Sequence, residues 1–173
     1  VSNQYLADGV APVSKMMKLG VSVGLGTDGA ASNNNLDMFA TMKAAAMMQK
    51  VHTLEATALT AEQALEMATI GGARAVGMED RIGSLEVGKQ ADMALIDLNA
   101  VEMTPNKSCI SNLVYAATPR VVDTVLIAGR IVMQNRVVRT MEEEKVLAEA
   151  NATLDRLASR SCSDFKICSW PVE

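Results

Sequence analysis

Histidine is nearly missing from this chain: His52 is the only one in 173 residues. A hydrolytic metal site takes three or more nitrogen and oxygen ligands, so these residues alone do not build a histidine-based centre. Cysteine is scarce too. Cys109, Cys162 and Cys168 are odd in number and awkwardly spaced, which argues against a disulfide framework and against a four-ligand zinc site. Reduced thiols are expected. Aromatics make up 3% of the chain against twelve methionines, so the core is expected to be aliphatic. No apolar run reaches the roughly eighteen residues needed to span a bilayer, and no charged segment leads into an apolar one at the amino end. A cytoplasmic protein without membrane partners is the expectation. Strong positive charge is also absent: the net charge of −4 leaves no electrostatic footprint for nucleic acid or an anionic membrane.

What is present is a composition of 49% hydrophobic and 21% charged residues, that of a soluble globular chain. Its most informative stretch is Gly20-Val-Ser-Val-Gly-Leu-Gly-Thr-Asp28-Gly-Ala-Ala-Ser-Asn-Asn-Asn-Leu36. Residues 21–25 are apolar and β-branched, entered from Gly20, and predict a strand of the buried, parallel-sheet kind. Asp28 then falls at its carboxyl end, where α/β enzymes place their chemistry. An aspartate after a strand also serves simply to cap a turn or a following helix, and the spacing alone leaves both roles open. The small residues around it, Gly26, Gly29, Ala30, Ala31 and Ser32, permit close approach of a ligand. Asn33 to Asn35 suit tight turns or the cap of a helix starting near Leu36.

The flanking segments predict alternating elements. Pro12 opens a short helix to about Leu19 that Gly20 ends. Residues 36–51 predict a helix packed through Phe39, Met42, Ala46 and Met47, with His52 as a surface or packing residue after it. Thr60-Ala-Glu-Gln63 is a capping box, opening a helix that bends or breaks at Gly71-Gly72 and ends at Gly77. Arg74 is expected to be solvated or in a structural ion pair. Beyond residue 80 the pattern turns strand-like. Residues 93–98 and a hairpin of 121–127 with 130–133 around Ala128-Gly129, extended by Val137-Val138, cannot bury both faces alone and read as half of a small β-sandwich. Thr140-Met-Glu-Glu143 is a second capping box, before a helix with Val146, Leu147, Ala150, Leu154 and Leu157 in one stripe. The tail from 159 has no period; Phe165, Ile167 and Trp170 are its candidates for docking.

Gly24-Leu-Gly-Thr-Asp28-Gly-Ala-Ala-Ser-Asn-Asn-Asn-Leu-Asp-Met-Phe39 resembles the eighth-strand motif of the amidohydrolase superfamily. More narrowly, it is similar to the branch holding 5-methylthioadenosine/S-adenosylhomocysteine deaminases and triazine chlorohydrolases. The likeness continues through the segments starting at Leu6, Met67, Ile82 and Val122, to about Glu144. It implies an α/β chain: the carboxy-terminal part of a metal-dependent hydrolase (β/α)8 TIM barrel, with part of a small composite β-sandwich and a C-terminal helix. A whole barrel takes about 250 residues, so the chain is expected to start just after the seventh strand, with 1–3 as its tail. The implied division is 1–80 for the barrel segment, 81–140 for the sandwich and 141–173 for the helix and tail.

The resemblance further implies a small-molecule substrate, hydrolytic deamination of an aminopurine or related triazine, and Zn2+ or another divalent ion as cofactor. It assigns Asp28 as both metal contact and catalytic proton acceptor, and it places the histidine ligands in segments this sequence lacks, so the chain alone is expected to be inactive. The alternative is a non-catalytic module that forms a homo-oligomer or binds a partner through exposed strand edges.

Overall fold

A computed structural model describes residues 1–160. Its first half is helical: α1 (Ser2–Leu6), α2 (Val13–Lys18), α3 (Ala30–Asn33), α4 (Met38–Thr53), α5 (Ala61–Ala68) and α6 (Ile70–Ala75). Its second half carries one antiparallel sheet, in the order β1 (Met93–Ile96), β2 (Val122–Ile127), β3 (Arg130–Gln134), β4 (Val137–Val138). Helix α7 (Cys109–Tyr115) lies between β1 and β2 in sequence, and α8 (Glu143–Arg160) follows the sheet. Helix α7 is an element the sequence pattern does not predict, a seven-residue helix capped by the Ser108 hydroxyl. It packs on α4 and α5, and its Val114 joins Met42, Ala46, Ala61 and Ala64 in a buried aliphatic cluster.

Helix α4 starts two residues later than expected, because Asp37 and not the asparagine run is its cap. The Asp37 carboxylate accepts from the amides of Phe39 at 2.7 Å and Ala40 at 3.2 Å. Its buried stripe is Met42, Ala46 and Gln49, at i, i+4 and i+7, which turns Met47 outward to 49% exposure. Gln49 ties α4 to the chain around α2: its amide donates to the Ala11 carbonyl at 2.8 Å, and its carbonyl accepts from the Ser14 amide at 3.2 Å. His52 is exposed in the last turn of α4.

The box at the start of α5 forms as expected. The Gln63 amide donates to the Thr60 hydroxyl at 3.3 Å, and the Thr60 amide donates to the Gln63 side chain at 3.0 Å. Thr60→Ala removes both the acceptor and the reciprocal geometry, for an expected loss of about 1 kcal/mol. Thermal melts should show the midpoint falling by about 2–4 °C.

Three sequence expectations change here. Residues 21–25 form no strand, and residues 2–6 are helical, so Ser2 and Asn3 do not belong to the strand tail expected at 1–3. A strand exists only against a hydrogen-bonded neighbour, and the sheet of the described residues lies wholly within 93–138. The 21–25 backbone bonds instead to helix carbonyls, Val21 to Met16 at 3.1 Å and Leu25 to Met67 at 3.0 Å. The break between α5 and α6 falls at Thr69, with φ −125° and ψ −105°, and not at Gly71-Gly72. Those glycines are a bare surface for the 21–25 segment: a Cβ on Gly24 would stand 2.7 Å from the Gly72 Cα. Arg74 makes an exposed ion pair with Glu66 at 2.8 Å.

In the sheet, Leu95 pairs with Thr124 and Val125 with Met133. The β2–β3 turn has positive φ at both Ala128 (49°) and Gly129 (76°), the backbone that matches strand twist in a two-residue hairpin. It is laced from a distance, with the Ala128 amide donating to the Asp92 carboxylate at 2.6 Å and Gly129 to the Ala91 carbonyl at 3.0 Å. Facing the helices, the sheet leaves an apolar cavity of about 670 Å³, lined among others by Phe39, Leu65, Ile96, Leu113, Val122 and Val125.

Helix α8 begins at Glu143, so Thr140 is not its capping residue. The Arg139 amide is still tied to the Val132 carbonyl at 2.8 Å, which keeps the backbone with the sheet and leaves 140–142 to make the turn. The expected stripe is present but uncovered among the described residues: Leu147, Leu154 and Leu157 are 59%, 57% and 59% exposed. Cys109 is a free, exposed thiol. Cys162, Cys168, Phe165, Ile167 and Trp170 lie outside the described residues.

Candidate functional site

Between the 21–25 segment and α4 the chain makes a tight loop around Asp28. Asp28 has φ 63°, a left-handed backbone that costs a residue with a Cβ roughly 1–2 kcal/mol. Its own carboxylate helps hold that shape, since Oδ1 accepts from the Gly29 amide at 2.7 Å. Gly29 then serves as the N-cap of α3, and the Ser32 hydroxyl returns to the Gly29 carbonyl at 3.1 Å.

The carboxylate is exposed and surrounded by donors. The Gly29 amide first, then the hydroxyls of Ser32 and Ser2, hold its pKa below the ordinary aspartate value; the slight desolvation acts the other way and is smaller. Ser2 comes from α1, which packs on α3, so two separate segments converge on the group. Asp28 is therefore an ionised carboxylate on a turn that its own hydrogen bond to the Gly29 amide helps to fix.

These bonds predict a titration. In the 173-residue chain the Asp28 carboxyl should titrate below an ordinary aspartate, and Ser32→Ala should move it upward, as read from its side-chain carbon shift against pH. The folded pKa is the lower one, so the associated stabilisation is present above the unfolded pKa and is lost as pH falls through the folded value. An unchanged titration in Ser32→Ala would remove the hydroxyl from the site.

Asn33 was expected to make a turn or cap α4; it is instead 2% exposed, with its side-chain amide donating to the Thr27 carbonyl. Its Oδ1 is buried without a hydrogen-bond partner among the described residues. The asparagine run looked uniform in sequence, and only the fold separates the buried Asn33 from the exposed Asn34 and Asn35. Beside this loop lies a cleft of about 220 Å³ bordered by Ser2, Gly9, Gly24, Gly26, Thr41 and Gln49. Asp28 is not among its lining residues.

Among the described residues no group of three or more His, Cys, Asp or Glu is arranged to hold a metal. His52, in the last turn of α4, is not brought into such a group. The Asp28 carboxylate has the chemistry of one oxygen donor to zinc, and the described residues do not bring a set of three such donors together.

The amidohydrolase family model matches residues 1–132, which takes in α1 to β2, the start of β3 and the whole Asp28 loop. The chain belongs to the amidohydrolase family. Its relatives include the 5-methylthioadenosine/S-adenosylhomocysteine deaminase of Syntrophomonas wolfei, 46% identical over 159 residues, covering 92% of this chain and 37% of that protein. The 5'-deoxyadenosine deaminase of Methanosarcina acetivorans is 48% identical over 161 residues, covering 93% of this chain and 37% of that protein. This amidohydrolase chain thus spans 37% of the length of either relative. Among solved structures, an adenosine deaminase from Xanthomonas campestris with bound zinc matches with a TM-score of 0.88 at 44% identity, over 91% of this chain and 36% of that one. Atrazine chlorohydrolase from Arthrobacter aurescens, complexed with zinc, matches with a TM-score of 0.79 at 27% identity, over 87% of this chain and 34% of that one. No helix among the described residues is long and apolar enough to cross a membrane.

Proposed function

We propose that this chain is part of a metal-dependent hydrolase that deaminates 5-methylthioadenosine, S-adenosylhomocysteine or a related aminopurine or triazine, with Asp28 as metal contact and catalytic residue. The observation that carries the reading is the Asp28 carboxylate on a left-handed turn, bonded to the Gly29 amide and kept ionised by that bond and by the nearby Ser32 and Ser2 hydroxyls. The deaminase names of the relatives and the zinc in two similar structures support it. In this reading residues 1–80 complete a (β/α)8 barrel, 81–140 half of a β-sandwich, and 141–173 a terminal helix and tail. The cytoplasmic location expected from composition belongs to the same proposal.

A divalent ion held there would lower the pKa of a water and so would supply a nucleophile at neutral pH. Asp28 would provide one oxygen ligand and, being ionised, would accept at its carboxylate the proton that the attacking water loses. It then returns that proton to the departing amine, general base first and general acid second. Its low pKa suits the first task by keeping the group charged. The same low pKa makes the protonated carboxyl a strong acid, which suits the second.

The test compares two preparations. The purified 173-residue chain with added zinc should release no ammonia from 5-methylthioadenosine, S-adenosylhomocysteine or adenosine, while the full-length protein should turn over at least one of them. Turnover by the short chain would overturn the ligand argument, and inactivity of the full-length protein on all three would overturn the substrate class. A second reading, association into a homo-oligomer or with a partner segment, is favoured by the exposed stripe of α8. A strictly monomeric short chain in sedimentation would remove it.

A further inference from the structure

We infer that Asn33 is a positioning residue for Asp28, acting through the Thr27 carbonyl. The inference rests on the catalytic reading of Asp28 given above. The peptide joining Thr27 to Asp28 sets one side of the φ rotation of Asp28, and the hydrogen bond of the Gly29 amide to the carboxylate constrains the other. A non-glycine residue keeps a left-handed backbone only where its surroundings over-determine it. Asn33 supplies the missing constraint: its amide grips the Thr27 carbonyl from six residues away. Asn33 is itself anchored, because its backbone amide donates to the Gly29 carbonyl at 3.0 Å and its side chain is 2% exposed. The loop is thus closed on both sides of Asp28 by one residue.

The unpartnered Oδ1 sharpens the argument. A buried acceptor without a donor is costly, and for filling space an apolar residue of the same shape would serve as well. What the amide contributes, and a leucine would not, is the bond to Thr27. The left-handed aspartate and the orphaned oxygen are two unfavourable features within one short loop, and such features cluster where a site must be held in one geometry.

The experiment uses Asn33→Leu, which keeps the branched outline and removes both polar groups, and Asn33→Ala. In the 173-residue chain, NMR reads the Asp28 backbone through its Cα and Cβ shifts and its intraresidue amide–Hα NOE, and the Gly29 hydrogen bond through its amide proton shift. Both variants should lose the positive-φ signature and the Gly29 shift while the amides of α4 and α5 keep their positions. In the full-length enzyme kcat should fall about a hundredfold, the scale of a small misplacement of a reacting group. KM should stay within about threefold, the pattern of a group that acts in the transition state. An intact Asp28 signature in both variants, or unchanged kcat in Asn33→Leu, overturns the inference. So does loss of the α4 and α5 pattern in both, which would make Asn33 a folding residue only. Failure of the catalytic reading is read separately, from turnover retained in Asp28→Asn, and leaves the NMR outcome standing.

Discussion

Asp28→Asn in the full-length protein is expected to lower kcat about 10²- to 10⁴-fold, the range carried by a positioned proton acceptor and donor. The substitution is close to isosteric. The asparagine oxygen can still accept from the Gly29 amide that holds Asp28 at 2.7 Å, so the turn and the fold should survive. What disappears is the negative charge and the ability to take up a proton. The circular dichroism spectrum and melting midpoint should therefore stay near wild type while turnover collapses, and bound zinc should fall as one anionic ligand is neutralised. Near-normal turnover would leave Asp28 as a turn residue and nothing more. A parallel loss of melting temperature would move the effect from chemistry to folding.

A large stability effect is expected from Gly24→Ala. The added methyl would meet the Gly72 Cα at 2.7 Å and lie 3.6 Å from the Ala75 Cβ. The first of these is backbone, which cannot rotate away as a side chain can, so the 21–25 segment has to lift off α6. Overpacking of this kind costs roughly 1–3 kcal/mol. For a chain of this length that is a fall of about 2–4 °C in melting midpoint per kcal/mol. Lifting this segment also moves Asp28, four residues on, so the full-length variant should lose activity beyond its loss of stability. Gly26→Ala is the control, since a Cβ there meets nothing within 4 Å. Equal behaviour of the two variants would show that the glycine contact does not hold the segment.

The effects that were legible in advance and those that were not divide by range. Thr60 and Gln63 are three residues apart, and their reciprocal bonds depend on little else, so the box could be read directly. The Thr140 box has the same pattern and fails, because Arg139 is still bonded to Val132 in the sheet. The 21–25 segment has the composition of a buried strand, but composition does not provide a neighbour, and the described residues contain none for it. Helix α7 went unseen because seven residues leave too short a pattern, and its place comes from packing on α4 and α5.

At the site the same division holds. The sequence alone singled out Asp28, its small-residue loop, the capping and hairpin signals and the family likeness that the 1–132 match established, since each depends on residues near one another in the chain. Only the tertiary structure decided that Asp28 takes a left-handed backbone, that Ser2 reaches it from α1, that Asn33 is buried against Thr27 and that Gly71 and Gly72 receive the 21–25 segment. The reason is physical: a hydrogen bond or a close contact between segments is set by where the rest of the chain brings each partner. No local pattern of residues contains that information.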